Sequence, residues 1–252
     1  MGSAMLAGWR EQGLAGAVAV DPALPPAPGP DVTVVADAAA VPAGFAPAAV
    51  VLAVKPQNAA AVLPAYARHA GHAVFLSIMA GRSLAGLDAL LGPEAAVVRA
   101  MPNTPAAIRQ GITVACAGAR VTPPQRALCD RLLAAIGEVA WVEEEALLDP
   151  VTAVSGGGPA YVFLLAELLQ RAAEAEGIPA PLAARLARRT VAGAGALLAA
   201  SAEDPAALRR AVTSPRGTTE RALAVLMAED AWPALLSRAI DAATRRSREL
   251  AG

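Results

Sequence analysis

The sequence predicts an α/β chain in two parts, a parallel sheet covered by helices followed by an all-helical segment. Short apolar runs alternate with helical stretches through the first 150 residues, several of those runs are unbroken Val/Ile/Leu/Ala, and the runs stop near residue 150. Strands alternating with helices indicate parallel pairing through crossovers, and unbroken apolar strands indicate burial on both faces. In order, the expected strands are 15–21 (AGAVAVD), 32–36, 48–55, 73–80, 95–102, 112–118 and 138–143, with helices over 58–69, 84–91 and 123–136. From Pro159 the pattern is helical, over 160–175, 180–200, 205–213, 219–228 and 233–249. Asp204 before Pro205 is an N-cap followed by a first-turn proline. The expected domains are therefore 1–150 and 151–252, meeting at the loop VSGGGP.

Composition narrows the function. Hydrophobic residues make up 56% and charged residues 17%, and much of the apolar excess is alanine. No unbroken apolar run reaches the roughly 18 residues of a spanning helix, and no basic segment precedes a short apolar one at the start. The expectation is a cytoplasmic chain with no membrane partner. A net charge of −1 and only 3% aromatic residues speak against a phosphate-backbone partner and against base stacking, so no nucleic acid is expected. Cys116, Cys129, His69 and His72 lack ligand spacing, and no metal is expected. The helical part is too apolar for a lone bundle: LLAELL and AGAGALLAA need cover, which predicts a homodimer or a multiple of dimers formed by that part.

One unit of the first part has a known logic. A dinucleotide-binding unit runs strand, glycine-rich turn, helix, strand, with an acidic residue closing the second strand. Here Gly2, the helix 3–12, the strand 15–20 and Asp21 match all but its beginning. The expected class is Rossmann-type, with the first strand and earlier glycines missing, as a truncation or a start at an internal methionine would both produce. Of 21 basic residues one alone is lysine, Lys55, and Asn58 and Asn103 are the only asparagines. A compact ammonium and a planar guanidinium are not interchangeable at a tight site, which singles out Lys55.

Separated motifs now carry a resemblance. MGSAMLAGW, AVKPQ (53–57), SIMAG (77–81), RAMPNTPA (99–106), VSGGGPAYVF (154–163) and VTSPRGTTERALAVLMAED (212–230) together resemble the pyrroline-5-carboxylate reductase family, in the same order and spacing. The sequence departs from that pattern at the start of the nucleotide turn, at Gly157 where serine is common, and at Arg216 where the loop usually has a small residue, most often glycine.

The resemblance implies hydride transfer from NADPH or NADH to the C=N bond of 1-pyrroline-5-carboxylate, giving L-proline. Expected cofactor contacts are Met1 and Gly2 at the pyrophosphate with the helix end behind them, Asp21 at the adenosine ribose, and the loops past the strand ends: Ala53, Val54, Lys55 and Pro56, then Ala80 and Gly81, then Pro102 and Asn103. Ser214, Gly217, Thr218 and Thr219 form the expected substrate turn, with helix N–H groups for the carboxylate and the Thr219 hydroxyl for the ring nitrogen. Thr218 or Thr219 is also suited to capping the helix that follows. The resemblance further implies that this turn faces the partner subunit's cofactor domain. Two other readings compete: an inactive dimerising remnant, and another imine reductase or a 3-hydroxyacid dehydrogenase relative, against which stands the absence of a catalytic lysine in the helical part.

Overall fold

A computed structural model of the chain describes residues 1–251. By internal packing they fall into two units, one of residues 1–156 together with Ala243 onward, the other Gly157–Ala242.

The first unit opens with helix α1 (Gly2–Glu11), followed by β1 (Ala17–Val20) and β2 (Val32–Val35), which pair in parallel. Then come β3 (Ala49–Leu52), a helical stretch built from a 3₁₀ turn (Pro56–Asn58), α2 (Ala59–Val62) and a second 3₁₀ turn (Leu63–His69), and β4 (Val74–Ser77). Pro64 sits in the first turn of that second segment, where its missing N–H and fixed φ are tolerated but a regular α-helix cannot run through. This is why the helix expected over 58–69 is mixed. After α3 (Leu84–Leu91) and β5 (Ala96–Met101), the chain forms β6 (Gly111–Ala117), α4 (Pro123–Ala134), β7 (Gly137–Val142) and the short α5 (Leu148–Val151).

Helices α3 and α4 begin where their sequences say. Ser83 caps α3 by accepting from the Gly86 N–H at 3.2 Å. Thr122 and Gln125 form a reciprocal capping box on α4, with Pro123 in its first turn. Gly8 marks where α1 presses closest to the sheet unit: a Cβ there would stand 2.5 Å from the Ala135 carbonyl oxygen.

Two features of the sheet differ from the expected single parallel array. β3, β4, β5, β6 and β7 form one five-stranded sheet in that order, but β6 runs antiparallel to β5. Only nine residues lie between these strands, too few for the crossover that parallel pairing requires. The second difference is that β1 and β2 form a separate two-stranded sheet, and β1 shares no ladder with β3.

Two apolar layers flank the five-stranded sheet. Met5, Val98, Ile136 and Leu133 pack on one face, and Leu63, Phe75, Leu87 and Val97 on the other. Both cysteines are free and buried, and burial pushes the Cys129 thiol up to about 12. Below them lies an ionic knot. The Arg99 side chain, 3% exposed, donates to Glu145 at 2.8 Å and stands 4.0 Å from Asp149, whose carboxylate accepts from the Ser247 hydroxyl at 2.7 Å. A buried guanidinium is costly unless paired, so this knot ties β5 to α5 and to the last turns of the chain.

The second unit is α6 (Gly158–Ala175), α7 (Ala180–Ala200), α8 (Pro205–Ala211), α9 (Thr218–Leu226) and the first half of α10 (Trp232–Ala251). Asp204 caps α8 by accepting from the Ala206 N–H at 2.6 Å, as its sequence predicts. What the unit lacks is a core. No residue of α6 is buried, and in α7 only Ala183 and Ala187 are. Phe163 is 68% exposed, with Leu164 and Leu168 at 50%. The helical stretch Glu145–Ala175 is, by length and composition, apolar enough to cross a membrane. It passes that measure although polar residues break it into shorter apolar runs.

Candidate active site

Because β3, β4 and β5 are parallel, their C-terminal ends share one edge of the sheet, and the loops after them meet there. Open parallel sheets bind ligands at that edge. α1 begins at the same place: a Cβ on Gly2 would lie 3.1 Å from the Ala53 Cβ. No side chain caps α1, and its first carbonyl, that of Met1, accepts from the Ala4 and Met5 N–H groups at 2.9 and 3.1 Å. The N–H groups of Gly2 and Ser3 have no partner inside the helix and carry its positive end.

Of the cofactor contacts expected from sequence, Met1, Ala53, Lys55 and Ala80 are exposed, and Gly2, Val54, Pro56 and Asn103 are half-buried. Pro102 and Gly81 are buried. Gly81 has φ +65, and a Cβ there would stand 2.9 Å from the Leu250 Cβ, so its backbone shapes the loop beneath the end of α10. The Asn103 side-chain oxygen accepts from the Ile112 N–H at 3.0 Å, which holds the turn between β5 and β6 and leaves its NH₂ group for other work. Asp21 is committed locally too. Its Oδ1 accepts from the Ala23 N–H at 2.9 Å, starting the Asp-Pro turn, while the side chain stays exposed.

Two arginines not singled out in the sequence hold this edge together. Arg82 donates from Nε and Nη2 to the Pro56 carbonyl at 3.2 and 2.9 Å, tying the loop after β4 to the loop after β3. Arg109, at φ +61, donates to the Ala4 carbonyl at 3.2 Å and to both carboxylate oxygens of Glu11 at 3.0 and 2.8 Å, tying α1 to the turn after Asn103. Those hydrogen bonds hold the Glu11 carboxyl below its usual range. The one available signal was position: Arg82 directly follows SIMAG, and Arg109 lies three residues past RAMPNTPA.

In the second unit, α9 begins without a side-chain cap. Gly217 is the N-cap, and Thr218 and Thr219 are the first two helical residues, which corrects the expectation that one of their hydroxyls caps the helix. At those positions the hydroxyls no longer reach the orphan N–H groups of the first turn. Gly217 donates its N–H to the Ser214 carbonyl at 3.0 Å, closing the Ser-Pro-Arg-Gly turn, and Glu220 reaches back to accept from the Arg216 N–H at 2.8 Å. Arg216 sits at φ +61, the left-handed region that favours glycine. Ser214 and Thr218 are exposed and Thr219 is half-buried. The turn therefore offers uncapped N–H groups, a free hydroxyl and a cation on one short segment, an arrangement suited to a small anion.

Glu167, in the middle of α6, pairs with Arg171 one turn on and stays at the exposed face.

Comparison with known proteins points to one family and one fold. A family model described as pyrroline-5-carboxylate reductase dimerisation matches residues 145–250. The chain is 45% identical to the pyrroline-5-carboxylate reductase of Pseudomonas aeruginosa over 80% of its length and 74% of that protein's. It is 42% identical to that of Synechocystis over 79% and 73%. A solved pyrroline-5-carboxylate reductase from Coxiella burnetii superposes with a TM-score of 0.88 at 30% identity, covering 100% of this chain and 95% of the other. One from Plasmodium falciparum, with NADP bound, has the same fold, with a TM-score of 0.83 at 24% identity over 100% and 95%.

Proposed function

The chain belongs to the pyrroline-5-carboxylate reductase family, and from that premise we propose that the two residue groups above divide the work of its reaction. That reaction reduces the C=N bond of 1-pyrroline-5-carboxylate to L-proline. The nicotinamide cofactor, NADPH or NADH, supplies the hydride. The residues present fit such a cofactor: the uncapped N–H groups of Gly2 and Ser3 suit a pyrophosphate, and the loops at Ala53–Pro56, Ala80 and Asn103 lie on the same edge of the sheet. Arg82 and Arg109 fix the spacing of those loops. In the second unit, the first-turn N–H groups of α9 receive the substrate carboxylate, together with Ser214, Gly217 and Thr218. The Thr219 hydroxyl meets the ring nitrogen. An imine bound already protonated needs little further acid catalysis, which suits a turn without His, Cys or paired carboxylates.

The observation that carries this reading is the uncapped start of α9, where Thr219 keeps a hydroxyl that capping would otherwise consume. The direct test is to supply 1-pyrroline-5-carboxylate with NADPH or NADH and follow nicotinamide oxidation alongside proline formation. Absence of proline from a folded oligomer would leave the inactive dimerising remnant as the correct description.

The bare apolar surfaces of α6 and α7 support a homodimer, or a multiple of dimers, built through the second unit. In that assembly the α9 turn serves the cofactor edge of the partner copy, so that a lone chain holds no complete site.

Two predictions follow from single residues. Arg216→Gly should raise the KM for 1-pyrroline-5-carboxylate about two- to fivefold by removing a cation near the carboxylate. It should also raise thermal stability slightly, because it relieves roughly 1 kcal/mol of left-handed strain. An unchanged KM would make Arg216 a surface residue without a part in binding. Asp21 keeps its charge exposed beside the turn it starts, where it accepts from ribose hydroxyls and repels a 2′-phosphate. NADH should therefore serve at least as well as NADPH, and Asp21→Ser should move kcat/KM toward NADPH by about fivefold, as one exposed charge contact of ~1 kcal/mol implies. A wild-type preference for NADPH of more than about tenfold, untouched by the substitution, would show that Asp21 acts only in its turn.

A further inference from the structure

We propose that Glu145 is a positioning residue of the reductase. Without itself touching cofactor or substrate, it fixes the loop of residues 78–83, through which Ala80 and Gly81 meet the nicotinamide cofactor. The inference rests on the cofactor edge proposed above and deepens it.

The two ends of that loop are held by different means. It leaves β4, a strand buried at every position, and its first amides find acceptors close by. The Ile78 N–H donates to the Leu52 carbonyl at 3.3 Å and the Met79 N–H to the Ser77 hydroxyl at 3.4 Å. The other end runs into α3, and the first N–H groups of a helix have no partner within it. Ser83 supplies one acceptor, for Gly86. The acceptor for Leu84, the first residue of the helix, comes from 61 residues away: Glu145 Oε1 accepts from the Leu84 N–H at 2.7 Å. A carboxylate in that place also meets the positive end of the helix.

Glu145 is itself held. The oxygen that accepts from Leu84 also accepts from Arg99 Nη1 at 2.8 Å. Arg99 stands on β5, whose six positions are all buried, and separating a buried guanidinium from its carboxylate would leave a charge without compensation. Support therefore runs from the sheet through Arg99 and Glu145 to Leu84, three residues past Gly81.

The same guanidinium organises a second hold. Asp149 stands 4.0 Å from Arg99 and accepts from the Ser247 hydroxyl at 2.7 Å. Three residues further along α10, Leu250 lies over Gly81, where a Cβ would come within 2.9 Å of it. Glycine enters many conformations with equal ease, so what fixes φ +65 at Gly81 lies outside the loop: Leu250 above it and Glu145 at its end. Arg82 sets the distance to the neighbouring loop at Pro56, whereas Glu145 ties the loop to the sheet. Hydride transfer depends on such spacing, since a displacement of about 1 Å costs on the order of a hundredfold in rate.

The test compares Glu145→Ala, which removes the acceptor, with Glu145→Gln, which returns an oxygen to the same place. By amide hydrogen exchange on the oligomer, Leu84 and residues 80–83 should lose about tenfold protection in the alanine variant, while Leu76 and Ala115 in the sheet keep theirs. The KM for NADPH or NADH should rise about fivefold and kcat fall about tenfold, with the KM for 1-pyrroline-5-carboxylate within about twofold of wild type. Glu145→Gln should recover most of both effects. Cys129→Ala, a fully buried change on α4, should lower Tm without that kinetic pattern. If the alanine variant does not fold, Glu145→Asp, whose shorter side chain draws the oxygen back from Leu84, takes its place with the same expectations. Loop amides that keep their protection, or lose it together with Leu76 and Ala115, would make Glu145 a residue of the fold alone. Loosened loop amides with an unchanged cofactor KM would likewise overturn the positioning role. A wild-type chain that binds no nicotinamide cofactor would instead end the reductase reading, and the exchange arm would still decide whether Glu145 holds the loop.

Discussion

Phe163→Glu should convert the oligomer to a monomer at micromolar concentration while leaving each chain helical. The aromatic ring is 68% exposed on a helix with no buried residue, so the isolated chain loses little packing by the change. In a dimer built on that face the cost is of another order. Burial of such a side chain contributes about 1.5 to 3 kcal/mol, and a carboxylate taken out of water without a partner costs several more. A combined loss of more than about 4 kcal/mol corresponds to a dissociation constant raised roughly a thousandfold. If the α9 turn serves the partner's cofactor edge, kcat/KM should fall along with the mass measured by sedimentation, and both should recover as protein concentration rises. A variant that sediments as the wild type does would place the interface elsewhere, and a wild-type chain that is itself a stable monomer would remove the shared site altogether.

Thr219→Val should keep the fold, the oligomer and the cofactor affinity, and lower kcat/KM about ten- to a hundredfold. The substitution is nearly isosteric, and Thr219 caps nothing in the structure, so helix α9 does not depend on its hydroxyl. An ordinary hydrogen bond contributes about 0.5 to 1.5 kcal/mol, and one that tightens as the ring nitrogen changes character contributes more in the transition state than in the ground state. Ten- to a hundredfold corresponds to about 1.4 to 2.7 kcal/mol. Thr219→Ser should restore most of the activity, since it returns the hydroxyl alone. Equal loss in the Val and Ser variants would point to the methyl group and to packing. Thr218→Val, one position earlier and more exposed, provides the contrast, and a larger effect there would exchange the two roles.

Much of the frame was legible because it depends on short-range pattern. The unbroken apolar runs that became β4 and β5, the capped starts of α4 and α8, and the change from strands to helices near residue 150 all arise within a few residues of chain, where periodicity and capping chemistry act directly. The residues of the proposed site were recognisable as motifs for the same reason. Their jobs were less so. Asp21 and Asn103 each proved to hold a turn through a side-chain oxygen, and the hydroxyls of Thr218 and Thr219 were released from capping by a single-residue shift of the helix start to Gly217.

What the sequence by itself determined is the family, the alternation of strand and helix, and the need of the helical unit for a partner, because composition and period are properties of the chain alone. Tertiary structure decided the rest. The antiparallel turn of β6 comes from a connection too short to cross over. Arg82 and Arg109 became ties only because carbonyls of Pro56 and Ala4, distant in sequence, arrived within reach. Gly81 is covered by Leu250 because the last turns of α10 pack with the first unit, held by the Arg99, Asp149 and Ser247 knot. The division of the sheet at β1 and β3 is the clearest case: each is an ordinary apolar strand in sequence, and only the fold places them in separate ladders.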